Sequence, residues 1–237
     1  MGSNVATTEW SQVLAARDGS DTEARRALER LCLTYWEPLY AYVRHQGADP
    51  DKARDLTQGY FATLLEKDFL ADVDPAKGRF RAFLLASLRN FLSNQRDRDQ
   101  ALKRGGGTTT LSLDLESGEA AYSLQVAEEM TPQDVYEVRW AMTVLDRALE
   151  RLEREVSETD TGERFALLKS YLTSSDSEIP YRDAAAQLDT SEGAVKSAVH
   201  RLRQHLGRCL RAEIAETVAD TAEVDDEVRF LLGKVRP

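Results

Sequence analysis

Apolar residues recur along this chain at the three-to-four-residue spacing of α-helices, and no run of alternating apolar and polar residues indicates a strand. A helix capped by Asp21 is predicted to be interrupted by Pro38 and to end at Gly47. Further helix starts are marked by a capping residue followed directly by proline, at Asp49, Asp74 and Thr131. The pattern therefore predicts an all-α protein.

Composition along the chain predicts two domains. With 237 residues, the chain has the length of one large domain or two small ones. Residues 105–131 open with three glycines and continue as a polar, acidic and weakly patterned stretch, which is typical of a flexible linker. We therefore predict two helical domains joined by an acidic linker, with a first domain at 1–104, the linker at 105–131, a second domain at 132–214 and an acidic C-terminal extension at 215–237.

The charge distribution indicates a nucleic-acid partner, although the formal net charge is −10. Residues 77–104 contain eight Lys or Arg residues and two acids, and residues 191–211 contain five and one. The stretch 105–138 between them has seven acids and no Lys or Arg. We interpret the two basic helical blocks as candidate nucleic-acid sites separated by an acidic tether.

Residues 181–206, YRDAAAQLDTSEGAVKSAVHRLRQHL, have the pattern of a helix-turn-helix. A short helix at 181–188 is followed by a three-residue turn and a second helix whose Val195, Val199 and Leu202 face inward. The outward face of that helix carries short hydrogen-bonding groups and cations, which suit base edges and phosphates. An ordinary helical hairpin with a solvated basic face is the alternative.

The basic block at 77–104 combines cations with aromatic rings, because its phenylalanines alternate with arginines and asparagines. Cations that hold phosphates, together with rings or amides that hold unstacked bases, are the groups that single-stranded DNA requires. A helix with a phenylalanine core face and a solvated basic face would have the same pattern, so both interpretations stay open.

Together these segments resemble the sigma-70 family of bacterial RNA polymerase initiation factors, in the small extracytoplasmic-function (ECF) type that has only the second and fourth sigma domains. Three co-linear segments carry the resemblance, namely ARDLTQGYFATLLEK at 53–67, GRFRAFLLASLRNFL at 78–92 and AAAQLDTSEGAVKSAVHRLR at 184–203. The resemblance implies that sigma domain 2 corresponds to 1–104 and sigma domain 4 to 132–214.

The resemblance also implies three binding surfaces. A helix would dock on the clamp of the largest subunit of core RNA polymerase through Asp51, Lys52, Arg54, Asp55, Gln58 and Phe61. A loop at 71–77 and the helix after it would hold the flipped bases and backbone of the minus-ten element of promoter DNA through Lys77, Arg79, Arg81, Phe83, Arg89, Asn90, Asn94, Arg96 and Arg98. The recognition helix would contact the minus-thirty-five element in the major groove through Ser191, Glu192, Lys196, Ser197, His200, Arg201 and Arg203.

The clamp-facing helix departs from the family pattern in its charge. Where such factors carry acids in a pattern like Asp-Ala-Glu-Asp, this chain has Lys52, Ala53, Arg54 and Asp55, and like charges across an interface are costly. Phosphorylation of Thr57 or Thr63 would add about −1.5 to −2 of charge to this helix. A Ser/Thr kinase acting there is therefore a candidate regulator, as is an anti-sigma protein.

Two other departures lie towards the C-terminus. Asp189 occupies the turn position of the helix-turn-helix where the family usually has glycine, and aspartate tolerates a left-handed backbone. The C-terminal extension contains an amphipathic piece at 224–235, whose Val228, Leu231 and Leu232 are expected to dock on the second domain.

No catalytic constellation is evident in the sequence, so we expect neither an enzyme nor a metal or cofactor. His200 and His205 are five residues apart, about 140° around a helix, and share no metal-facing edge. Cys32 and Cys209 are expected to be reduced thiols of a cytoplasmic protein. No stretch approaches the roughly 18 apolar residues of a membrane helix, so no membrane partner is expected.

Two other functions stay open. A helix-turn-helix transcriptional regulator that acts without polymerase would explain residues 181–206 but not the two N-terminal segments. A sigma-like scaffold that binds a regulator and no DNA would follow if Lys52 and Arg54 abolish polymerase binding.

Overall fold

The computed structural model describes residues 9–15, 22–65, 79–101, 130–157, 162–173 and 179–235. Across these residues the chain is mostly helical, which confirms the all-α prediction. The helices are α1 (Glu9–Ala15), α2 (Thr22–Thr34), α3 (Trp36–His45), α4 (Pro50–Leu64), α5 (Phe80–Ala101), α6 (Pro132–Ser157), α7 (Gly162–Thr173), α8 (Tyr181–Gln187), α9 (Glu192–Ala215) and α10 (Val224–Val235). Within the described ranges, every helix is too short or too polar to cross a lipid bilayer.

The chain forms two compact units whose boundaries fall inside helices. The first unit draws on residues 1–143 and 214–237, and the second on 144–213. Because the boundaries lie within α6 and α9, each of these helices contributes residues to both units. The first unit thus includes the start of α6 and the C-terminal extension.

An aromatic cluster lies in the core of the first unit. The ring centre of Trp10 in α1 is 5.0 Å from those of Phe80 and Phe83 in α5. Tyr35 adds contacts at 5.8 Å to Phe80 and at 6.5 Å to Trp140 of α6. All five side chains are buried. Burial of a large apolar side chain stabilises a fold by roughly 1.5–3 kcal/mol, so this cluster fixes α1, α5 and the start of α6 together.

The interruption expected near Pro38 is present as a break between α2 and α3 at Tyr35. Pro38 then lies in the first turn of α3, where its missing N–H removes no intrahelical hydrogen bond. Gly47 follows the helix with a φ of 92°, in the left-handed region that glycine enters without steric cost. The predicted end of the helix at Gly47 is therefore confirmed.

Two of the three predicted aspartate-proline or threonine-proline starts are observed. The Asp49 carboxylate accepts a hydrogen bond from the backbone N–H of Lys52 at 2.8 Å and caps α4. At the start of α6, the Thr131 hydroxyl accepts one from the N–H of Asp134 at 3.2 Å. The start predicted at Asp74 lies outside the described residues.

The C-terminal segment, which we define as residues 216–235, packs within the first unit. Its Thr217 carbonyl accepts a hydrogen bond of 3.0 Å from the Phe80 N–H, and Val218 pairs with Arg79 in an isolated antiparallel bridge. A 3-10 turn, Thr221–Glu223, leads into α10. The segment thereby meets the start of α5.

The amphipathic piece predicted at 224–235 is α10. Val228 and Leu231 are buried, whereas Leu232 is exposed. We expected these residues to dock on the second domain, but α10 belongs to the first unit. Its charged side chains reach α5 and α6 there, as described below.

The second unit has a small core built from α7, α8 and α9. Ala184 and Ala185 of α8 and Val195 and Val199 of α9 are buried together with Leu168 of α7. The small alanines let α8 approach closely, and the β-branched valines of α9 fill the space on one face. This packing determines which residues of α9 remain exposed.

Candidate nucleic-acid interface

The turn between α8 and α9 has the geometry that a helix-turn-helix requires. Asp189 has a φ of 47°, which confirms that aspartate occupies the left-handed turn position here. The Ser191 hydroxyl accepts a hydrogen bond from the Ala194 N–H at 3.2 Å, and this contact caps the start of α9. The turn ends α8 and restarts the chain as a second helix within four residues.

The exposed face of α9, together with the Ser191 cap before it, contains every residue that the sequence predicted for duplex DNA. Val195 and Val199 are buried, and Ala198 is 6% exposed, so the opposite face is directed to solvent. The predicted residues are all exposed: Ser191, Glu192, Lys196, Ser197, His200, Arg201 and Arg203. The helix presents two hydroxyls, three cations, one imidazole and one acid to solvent, which is a set of groups suited to phosphates and base edges.

One of these cations is held by neighbours in its own unit. Lys196 Nζ lies 2.6 Å from the Glu192 carboxylate and 5.5 Å from the centre of the Tyr181 ring. The hydrogen bond to Glu192 raises the pKa of Lys196, so the side chain is positioned as a charged group. Glu192 thus orients the cation and would compete with a phosphate for it.

Arg203 differs from Arg201 in its contacts. The Arg203 guanidinium donates a 2.9 Å hydrogen bond to the Tyr171 carbonyl near the end of α7. Arg201 is exposed beside a cavity of about 290 Å³ that is lined by Phe165 and His205, among others. Arg203 therefore has a structural role within the unit, whereas Arg201 is directed to solvent.

In the first unit, the surface predicted for polymerase lies on α4. Asp51, Lys52, Arg54 and Asp55 are exposed, with a distance of 3.7 Å between the Asp51 carboxylate and the Arg54 guanidinium. Gln58 is half-buried. The sixth predicted residue, Phe61, is fully buried and packs against Tyr60 with ring centres 5.3 Å apart. The charged residues can thus meet a partner directly, and Phe61 supports the helix from within.

The two threonines considered for phosphorylation differ in accessibility. Thr57 is fully buried, and its hydroxyl donates a 2.8 Å hydrogen bond to the Ala53 carbonyl. Thr63 is half-buried, and its hydroxyl donates to the Gly59 carbonyl at 3.0 Å. A kinase would reach Thr57 only if α4 left its packed position, because the hydroxyl faces the core.

The predicted minus-ten surface begins with two arginines that are already occupied. Arg79 Nη1 lies 2.9 Å from one carboxylate oxygen of Glu227 in α10. Arg81 binds the same carboxylate through both Nε and Nη2, the latter at 3.3 Å. Glu227 is only 1% exposed, so two guanidinium groups converge on one buried acid.

Further along α5, two predicted cations bind neutral groups. Arg89 donates hydrogen bonds to the Tyr42 hydroxyl at 3.1 Å and to the Gln133 side-chain carbonyl at 2.9 Å. Arg96 donates one of 2.7 Å to the side-chain carbonyl of Gln46. Both arginines are exposed, and neutral acceptors compete with phosphate less strongly than carboxylates do.

The remaining predicted residues of this surface are distributed differently. Asn90 and Asn94 are exposed on α5. Phe83 is only 8% exposed and belongs to the aromatic core. Arg98 lies on α5, but its side chain is outside the description, and Lys77 is outside the described residues. Arg89, Asn90, Asn94 and Arg96 therefore form the accessible part of the surface.

Glu227 is the residue of this region that sequence reasoning missed. It lies three residues after Val224, one before Val228 and four before Leu231, which places it on the apolar stripe of α10. An acid on a buried stripe indicates a buried cationic partner. The sequence therefore indicates that Glu227 has a buried cationic partner, but it does not indicate which residues supply it.

A mixed group of side chains in the second unit brings together Glu155, His205 and Cys209, whose potential ligand atoms all lie within 4.8 Å of one another. One oxygen of Glu155 is 2.6 Å from His205 Nε2 and 3.8 Å from Cys209 Sγ, and the other is 3.0 Å from Arg151 Nε. The hydrogen bond with His205 lowers the pKa of Glu155, and burial raises the pKa of Cys209. Both oxygens of the Glu155 carboxylate thus accept hydrogen bonds within the unit.

Comparison of the chain with models of known protein families, with curated proteins and with solved structures gives no match. The candidate surfaces are one exposed helix face in the second unit and, separately, the exposed residues of α4 and α5 in the first.

Proposed function

We propose that this protein is a dissociable promoter-specificity subunit of bacterial RNA polymerase, a sigma factor of the ECF type. The observation that carries the proposal is the helix-turn-helix, with its left-handed residue at Asp189 and the polar, cationic face of α9. A helix with this exposed face fits the width of the DNA major groove. Three co-linear sequence segments resemble those of sigma factors, and this resemblance supports RNA polymerase as the partner.

The second basic region supports a role beyond duplex binding. Arg89, Asn90, Asn94 and Arg96 are exposed on α5, and they combine two cations with two amides. Such groups hold the backbone and the edges of unpaired bases. A regulator that binds duplex DNA only through one helix-turn-helix does not account for this second surface.

The α4 surface supplies the contact to polymerase in this proposal. Lys52 and Arg54 are exposed at positions where the family has acids, and they would meet basic residues of the polymerase clamp. We therefore expect weak binding to core polymerase that added negative charge strengthens. Phosphorylation of this helix stays a prediction, and the accessibility of the hydroxyls favours Thr63 over Thr57.

Co-elution with core RNA polymerase in size-exclusion chromatography tests the proposal. The wild-type chain is compared with Arg54→Glu, and with Arg26→Glu as the matched control. Both substitutions reverse one exposed arginine on a helix of the first unit. We expect wild type to bind and Arg54→Glu to bind several-fold more tightly, because a like-charge contact is replaced by an opposite-charge one. Arg26→Glu should behave as wild type.

Failure of both wild type and Arg54→Glu to co-elute would contradict the proposal. Binding to duplex DNA without any affinity for polymerase would then support the regulator that acts alone. Binding to neither would leave the scaffold as the function that the sequence allows.

A further inference from the structure

We propose that the C-terminal segment is an internal competitor of DNA, which holds Arg79 and Arg81 through Glu227 and must release them before they can contact phosphates. The inference rests on the proposed function, because it assigns a regulatory contact to the minus-ten surface. Its basis is the geometry around one buried carboxylate.

The Glu227 carboxylate binds Arg79 and Arg81 in the way that a phosphate group would. Arg81 contacts it with two nitrogens of its fork, and Arg79 adds a third donor at 2.9 Å. Arginine binds carboxylates and phosphates with the same planar two-donor geometry. A single side chain can therefore satisfy the cations that the DNA backbone would otherwise meet, and the two ligands exclude each other.

The rest of α10 strengthens this occupation. The Arg81 guanidinium lies 3.7 Å from the centre of the Phe230 ring of α10 and 5.6 Å from that of Trp140. Lys234 Nζ, near the end of α10, is 2.6 Å from the Glu137 carboxylate of α6. The side chain of Arg81 is only 13% exposed, so DNA cannot contact its guanidinium face while α10 is in place.

The segment is attached in a way that allows release. Two backbone hydrogen bonds hold the first residues of the segment, from the Phe80 N–H to the Thr217 carbonyl and from the Trp10 N–H to the Glu216 carbonyl. Both lie before α10, so α10 itself is held by its side chains. A buried ion pair is a weak source of net stability, because both groups lose hydration when they pair. Arg79 is held at its edge by two acids of the segment, because its Nε lies 3.6 Å from the Glu223 carboxylate in addition to the contact with Glu227. Its side chain is 30% exposed, so this end of the contact is reached by solvent and is where release can begin.

The test measures binding of a fluorescein-labelled single-stranded DNA of random sequence, about 16 nucleotides long, by fluorescence anisotropy without polymerase. Glu227→Gln is compared with wild type and with Asp226→Asn. The control removes the same charge from the neighbouring, exposed residue of the same helix. We expect Glu227→Gln to lower the Kd roughly tenfold, within the range usual for coupling between two sites, and Asp226→Asn to leave it unchanged.

The salt dependence of binding gives a second readout. Each phosphate contact with a single strand contributes about 0.7 to the slope of log K against log salt concentration. Release of Arg79 and Arg81 should therefore steepen the slope in Glu227→Gln by about 1.4, from two added contacts. Equal affinities and slopes for all three proteins would overturn the proposal.

Hydrogen exchange of the wild-type chain avoids any effect of substitution on folding. Saturating DNA should increase amide exchange in α10, because the segment leaves its site, and should leave α2 protected. Bound DNA with unchanged exchange in α10 would overturn the proposal. Neither experiment contains polymerase, so competition between the C-terminal segment and DNA can be confirmed even if the chain does not bind polymerase. Conversely, the chain can bind polymerase even if this competition is absent.

Discussion

Asp189 shows how a single backbone angle shapes the helix-turn-helix. Its φ of 47° lies in the left-handed region, where most side chains crowd the following carbonyl. Aspartate tolerates this region because its short polar side chain interacts locally with the backbone. The turn between α8 and α9 thus depends on a residue that tolerates a positive φ, which a β-branched residue does not.

We predict that Asp189→Val lowers the free energy of unfolding of the protein by roughly 1–2 kcal/mol, and that Asp189→Gly leaves it equal or higher. Urea unfolding followed by circular dichroism measures the change. Thr190→Val is the control, because Thr190 is exposed and does not have a positive φ. Equal losses for Asp189→Val and Thr190→Val would show that the left-handed angle does not matter.

The burial of Thr57 could be predicted from the sequence, whereas the pairing of Arg81 with Glu227 could not. Thr57 lies at helical spacing from Ala53, Tyr60, Phe61 and Leu64, all of which are buried. The spacing alone thus predicts that Thr57 faces inward. The pairing of Arg81 with Glu227 was not predictable, because the residues are 146 positions apart and only tertiary packing brings them together.

At the scale of helices, caps and prolines located most starts, because they act within one turn. The lengths were harder to predict. The helix-turn-helix pattern in the sequence covers the second helix up to Leu206, and α9 continues to Ala215. Gly207 directly follows Leu206 and could mark a helix end, but the apolar Leu210 and Ile214 continue the buried stripe beyond it. The continuation depends on packing that a local pattern does not specify.

The contacts of α9 predict distinct effects for two nearby arginines. Arg201→Ala should weaken binding to random-sequence duplex DNA and reduce the salt slope by about 1, because one phosphate contact is lost. Arg203→Ala should lower the free energy of unfolding by roughly 1 kcal/mol, because its hydrogen bond to the Tyr171 carbonyl is lost. Anisotropy and urea unfolding measure the two effects.

The control for both variants is Gln204→Ala, since Gln204 is an exposed neighbour on the same helix. It should leave DNA binding and unfolding near wild type. If Arg201→Ala binds DNA with the wild-type salt slope, the exposed face of α9 is not the DNA-binding surface.

For the whole molecule, the division into units differs from the division that composition indicates. The sequence pattern predicts an acidic linker at 105–131, of which only residues 130 and 131 are described, and a second domain from residue 132. Residues 132–143 and the C-terminal extension belong to the first unit. The difference arises because Tyr136 and Trp140 are buried in the first unit, and the Tyr136 hydroxyl donates a 2.8 Å hydrogen bond to the Arg81 carbonyl. Burial of these large aromatic residues thus decides which core the start of α6 joins.

In the function that we propose, this chain gives core RNA polymerase its promoter specificity. Run-off transcription by core polymerase from a library of random upstream sequences tests it most directly, with wild type and Glu227→Gln assayed side by side. We predict transcripts above those of core polymerase alone, from templates that share two sequence elements at a fixed separation, with a higher yield for Glu227→Gln. Transcription no higher than that of core polymerase alone with both forms, each shown to be folded, would contradict the account.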